Sequence, residues 1–69
     1  MTDWQLDHEV LEVLRAHRGS YVSVYHVKNT LCRAFQLDQR RVFEAINRLV
    51  QARKLKRRRS AVRVSELVA

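Results

Sequence analysis

Proline is absent from this chain, and glycine and cysteine occur once each, at Gly19 and Cys32. With no Pro-rich or Gly-rich linker to divide them, residues 1–69 read as one domain whose clearest internal break is Gly19. A lone cysteine cannot close an internal disulfide, which agrees with a reducing compartment, and Cys32 reads as a small core residue on a helix. No apolar run approaches the roughly 18 residues that span a bilayer. Met1-Thr2-Asp3 opens an acidic stretch instead of the basic start of a signal peptide, so the expectation is a cytoplasmic protein with no membrane partner.

The patterns of common active sites are missing too. His8, His17, His26 and Cys32 form no CxxC or HxxxH pair, so no metal is expected. There is no Gly-rich phosphate loop, and Ser20, Ser23, Ser60 and Ser65 lack the strand-turn-helix setting of a nucleophile. A chain this short has little room for an enclosed pocket. We therefore expect no enzyme, no cofactor and no small-molecule substrate.

Acidic residues are scarce in one half only. Residues 1–14 hold Asp3, Asp7, Glu9 and Glu12 with no Lys or Arg, whereas residues 40–63 hold ten Lys or Arg against Glu44 alone. The formal net charge is +7, concentrated toward the C-terminal half, and a phosphate-rich partner is the first expectation.

What is present suits a small folded domain. Hydrophobic residues make up 46% of the chain and charged ones 30%, a globular and not a disordered balance. A domain of this size buries only about 60% of its unfolded surface, so its stability is marginal.

Helical spacing of Trp4, Leu6, Val10, Leu11, Val13 and Leu14 predicts a first helix over about 3–17, opened by a Thr2/Gln5 capping box and closed by Gly19. Its apolar positions cover about half the circumference, more than one core needs. That excess points to a homodimer through Trp4, Leu6, Val10 and Val13. The stretch SYVSVY alternates but is too short for more than a sheet fragment. Ser23 then caps a second helix over about 24–35, with Val24, Val27, Leu31 and Phe35 on one face. Leu37 plugs the following turn, and Asp38 caps a third helix over about 39–53.

In that third helix Val42, Ala45, Ile46 and Leu49 point one way, flanked by Phe43 and Val50. Arg40, Glu44, Asn47, Arg48 and Gln51 fall on the opposite side, with Arg41 at its edge. These are side chains that read base edges, Arg for guanine and Asn or Gln for adenine.

Residues 53–59, RKLKRRR, carry six basic side chains in seven positions. A nuclear-import tag rests on that charge alone, and the alternating residues beyond it predict a folded hairpin over about 54–66. With Arg58 to Ala61 as a loop of about four residues, Arg57 pairs with Val62, Lys56 with Arg63 and Leu55 with Val64, so Leu55 and Val64 share the inner face. The same register sets two cations opposite each other, which costs a sheet about 0.2 to 1 kcal/mol. A tip without Gly or Asn argues against a tight two-residue turn.

This order of helix, strand fragment, helix, turn, helix and basic hairpin resembles the winged helix-turn-helix family over nearly the whole chain. The spacing of Val42, Ile46, Leu49 and Leu55 within VFEAINRLVQARKLKRR is similar to that of the recognition helix running into the first wing strand, and Leu37 resembles the buried turn residue. Arg53 departs from the pattern, standing where many relatives have glycine. The resemblance implies a mainly α fold with three helices and a two- to three-stranded antiparallel wing.

It also implies a small regulator of transcription or replication that binds double-stranded DNA, nucleoid-associated if the host is prokaryotic or viral. By that resemblance Arg40, Arg41, Glu44, Asn47, Arg48 and Gln51 face bases or nearby phosphates. Lys54, Lys56, Arg57, Arg58, Arg59 and Arg63 belong to the wing, and Ser23, Tyr25, His26 and Lys28 touch the backbone from the start of the second helix. Two alternatives stay open. The same fold could dock an acidic protein, or bind RNA; the latter is disfavoured because Trp4, Tyr21, Tyr25, Phe35 and Phe43 read mostly as core and not as an exposed stacking platform.

Overall fold

The computed structural model describes residues 1–65. Its elements run α1 (Asp3–Arg15), β1 (Val22–Ser23), α2 (Val24–Phe35), α3 (Gln39–Gln51), β2 (Leu55–Arg58) and β3 (Ala61–Val64). The three strands form one antiparallel sheet in the order β1-β3-β2, so the described residues fold as three helices with a small sheet. The expected hairpin limit at residue 66 lies outside the described residues.

The helix starts follow from side-chain caps. Thr2 and Gln5 make the reciprocal capping box, the Thr2 hydroxyl accepting from Gln5 N–H at 3.1 Å and the Gln5 carboxamide accepting from Thr2 N–H at 2.9 Å. Ser23 caps α2 by accepting from Tyr25 N–H, and Asp38 caps α3 by accepting from Arg40 N–H.

The helix ends are less expected. α1 stops at Arg15, and both Arg18 and Gly19 adopt positive φ in the loop after it. α3 stops at Gln51 with the paired bonds of a Schellman motif, Lys54 N–H to Leu49 C=O at 2.9 Å and Arg53 N–H to Val50 C=O at 3.0 Å. Arg53 takes the left-handed position at φ 63°, where a side chain costs about 1 kcal/mol that glycine avoids.

The hairpin register is Leu55↔Val64, Lys56↔Arg63 and Arg57↔Val62, as the spacing requires, extended by Arg58↔Ala61. This last pair corrects the four-residue loop to a tight turn over Arg59 and Ser60, with Arg59 itself at φ 55°. The turn closes without Gly or Asn because it is fastened from outside: Ser60 C=O accepts from Val24 N–H at 2.7 Å. β1 adds to β3 through Val22↔Val62 and Ser23↔Ala61.

One core joins all six elements. Leu6, Val10 and Leu14 of α1, Val24, Val27 and Leu31 of α2, Val42, Ala45, Ile46 and Leu49 of α3 and Val22, Leu55 and Val62 of the sheet are buried together. Leu37 and Cys32 pack against this core while half-buried. Among the described residues, every buried core residue is aliphatic. The aromatics expected inside are not in it: Trp4, Tyr21, Tyr25 and Phe35 are exposed and Phe43 is half-buried. Phe35, the last residue of α2 before Gln36 turns the chain through the left-handed region, is exposed. The apolar excess on α1 also shrinks. Leu6 and Val10 are sealed in the core, so of the four residues expected at a homodimer contact only Trp4 and part of Val13 reach the surface.

Candidate functional site

The two flanks of α3 face different neighbours. On the α1 side, Arg48 donates to Asp7 through Nη2 at 2.6 Å and Nε at 3.4 Å, and its Nη1 lies 4.0 Å from Asp3. Arg41 donates to the Met1 carbonyl at 2.7 Å and approaches Asp3 at 3.7 Å. The hydrogen bonds from Arg48 to Asp7 raise the Arg48 pKa above its ordinary value against the opposing effect of partial burial, and the charges of Asp7, Asp3 and Glu44 add to the rise. These two arginines were expected to face bases or phosphates. In the structure they fasten α3 to the acidic flank of α1.

On the other flank and outer face, Arg40, Glu44, Asn47 and Gln51 are exposed. Asn47 is held from the sheet, since Arg57 Nη1 donates to its Oδ1 at 3.1 Å while Arg57 Nε donates to the Arg59 carbonyl at 2.8 Å. Strand parity explains the reach: Arg57 shares the inner face of the sheet with Leu55 and Val62, and near the end of the hairpin that face looks toward α3.

The outer face of the sheet carries Lys56 and Arg63, paired across the strands, and Arg58. Tyr21 answers the like-charge juxtaposition there. The Arg58 guanidinium lies 4.9 Å and that of Arg63 5.5 Å from the centre of its ring, within range of a cation–π attraction of about 0.5–1 kcal/mol at an exposed site. Sequence reasoning misses this role for Tyr21. Its alternation with Val22 puts it on the outer face, but nothing local shows that β1 pairs with β3 and so brings Tyr21 beside Arg63.

Lys54, Lys56, Arg57, Arg58 and Arg59 are exposed and Arg63 is half-buried. No carboxylate among the described residues comes within ion-pairing distance of any of the six. At the start of α2 the expected group divides. The Ser23 hydroxyl is occupied as a cap, and Tyr25 packs edge-on against Phe43 with ring centres 6.0 Å apart. His26 meets His17 edge-on at 5.6 Å instead, and Lys28 borders a shallow hollow with Gln39 at the start of α3.

The arrangement offers a cationic hairpin with no carboxylate partner among the described residues, beside a polar helix face that mixes donors and acceptors. It holds no group of three or more His, Cys, Asp or Glu side chains fit for a metal, and no helix long and apolar enough to cross a membrane, among the described residues. Compared with known proteins, the chain matches no family model, no curated protein and no solved structure.

Proposed function

We propose that this protein binds double-stranded DNA as a winged helix, with α3 in the major groove and the β2–β3 hairpin on the backbone or in the minor groove. The observation that carries this reading is the hairpin's charge: six cations, none of them matched by a carboxylate among the described residues, held by a strand register that sets two of them face to face. A phosphate backbone supplies what that arrangement lacks. The face of α3 next to it bears Arg40, Asn47 and Gln51, whose chemistry matches base edges and phosphates. Regulation of transcription or replication is the role such a domain would serve.

A second reading, single-stranded nucleic acid, gains support from the aromatics that lie outside the core, above all Trp4 at 76% exposure and Tyr25 at 56%. Both could stack on unpaired bases. Titration of random-sequence duplex and of single-stranded DNA and RNA at two salt concentrations separates the two. The duplex reading expects duplex to bind more tightly, with log K falling against log salt at a slope of about −5 if six phosphates are neutralised. Tighter binding of single strands favours the second reading. A slope close to zero, or capture by acidic protein alone, rejects both.

A further inference from the structure

A cleft of about 220 Å3 opens between the start of α2, the middle of α3 and β2. Val24 and Ile46, both buried, form its floor; Tyr25 and Phe43 form its walls; Asn47 and Arg57 stand at its rim. We infer that this cleft reads an A·T base pair, Asn47 hydrogen-bonding the adenine edge while Tyr25 and Phe43 receive the thymine methyl group. The inference rests on the duplex-DNA reading and specifies the base pair that reading leaves open.

Asn47 is oriented for the task. A guanidinium has only donors, so the carboxamide atom facing Arg57 at 3.1 Å must be Oδ1. That oxygen keeps a second lone pair for the adenine N6–H, and Nδ2 keeps its hydrogens for adenine N7. Arg57 is itself aimed by its bond to the Arg59 carbonyl, which makes it a positioning residue with no donor pair set toward guanine. Guanine would turn the O6 acceptor toward Oδ1 and lose that bond.

The apolar part lies beside the amide. Phe43 precedes Asn47 by one helical turn on the same face of α3, a Cβ spacing of about 5–6 Å, and Tyr25 closes against Phe43 at an interplanar angle of 80°. Thymine alone among the four bases presents a methyl group in the major groove.

The test begins with selection of preferred sites from a random duplex library by the full-length protein, followed by binding titrations. One position should be enriched in A·T, and replacing its adenine with 7-deazaadenine, which deletes only the N7 acceptor, should weaken binding by about 2- to 12-fold, the range of one hydrogen bond. Replacing thymine with uracil, which deletes only the methyl, should weaken it by several-fold. Arg57→Lys keeps the charge, so it should leave the salt slope unchanged and yet lose the A·T preference; a residue with a merely structural role would lose total affinity instead. Asn47→Ala should lose the preference, so that the selected site binds the variant no more tightly than random duplex does. Duplex binding that selects G·C or nothing at that position, or is indifferent to both base analogues, overturns this inference and leaves the duplex reading standing. Absence of duplex binding overturns both.

Discussion

Arginines on the two sides of α3 have different fates. Arg48 and Arg41 meet Asp7, Asp3 and the Met1 carbonyl; Arg40, one residue before Arg41, meets solvent on the side open to the hairpin. Residue type alone does not decide a role. What stands across the helix matters as well: here the carboxylates of α1 hold Arg48 and approach Arg41, while the hairpin cations meet no carboxylate among the described residues. The net charge of +7 is therefore offset more on the α1 side than at the hairpin among the described residues.

The strongest way to break this contrast is to neutralise the hairpin. Lys56→Ala with Arg58→Ala and Arg59→Ala should lower duplex affinity by about 100-fold or more at low salt, because each phosphate left unneutralised also keeps its counterions. Circular dichroism should show an unchanged fold. Arg63→Glu sharpens the point, since it sets opposite charges across the strands at the Lys56 pair. It should leave stability within about 1 kcal/mol, the new ion pair offsetting the missing cation–π attraction of Tyr21, yet weaken DNA binding about ten-fold, as expected when a phosphate-binding cation becomes an anion.

The α1 side should respond in stability instead of affinity. Arg48→Ala should destabilise the fold by about 1 kcal/mol in urea unfolding, modest because the pair is partly exposed, and leave duplex affinity within about two-fold. The reverse pattern, intact stability with weakened binding, would return Arg48 to the DNA face. Arg53→Gly tests the backbone between the two regions. Relieving its left-handed strain should stabilise the protein by about 1 kcal/mol, raising Tm by about 4–8 °C in a domain of this size, without altering the salt slope. The smallest effect belongs to Asp3→Ala, which loosens Arg41 and should raise duplex affinity at low salt by about two-fold, an increment that disappears as salt screens it.

Local rules carried much of the fold. Thr2, Ser23 and Asp38 announce the three helix starts, because a cap depends on residues within three positions of itself. The hairpin register was equally legible, since the parity of Leu55 and Val64 admits one inner face. Other features of the structure depend on non-local contacts. A helical wheel drawn for α3 alone puts Arg48 on the free side, and only the packing of α1 against α3, residues 41 apart in sequence, brings Asp7 to it. Arg59 accepts a left-handed turn because Val24 N–H holds the Ser60 carbonyl from another element. The aromatics stay outside because Leu, Val and Ile side chains from six elements already fill the interior.

The most direct test of the contrast is a pair of salt titrations on random duplex. Lys56→Ala with Arg59→Ala should reduce the slope of log K against log salt from about −5 to about −3, roughly one unit for each phosphate no longer neutralised. Arg41→Ala with Arg48→Ala, the same nominal removal of two charges, should leave the slope where it was. Equal reductions in both variants, or a wild-type slope near zero, would contradict the account.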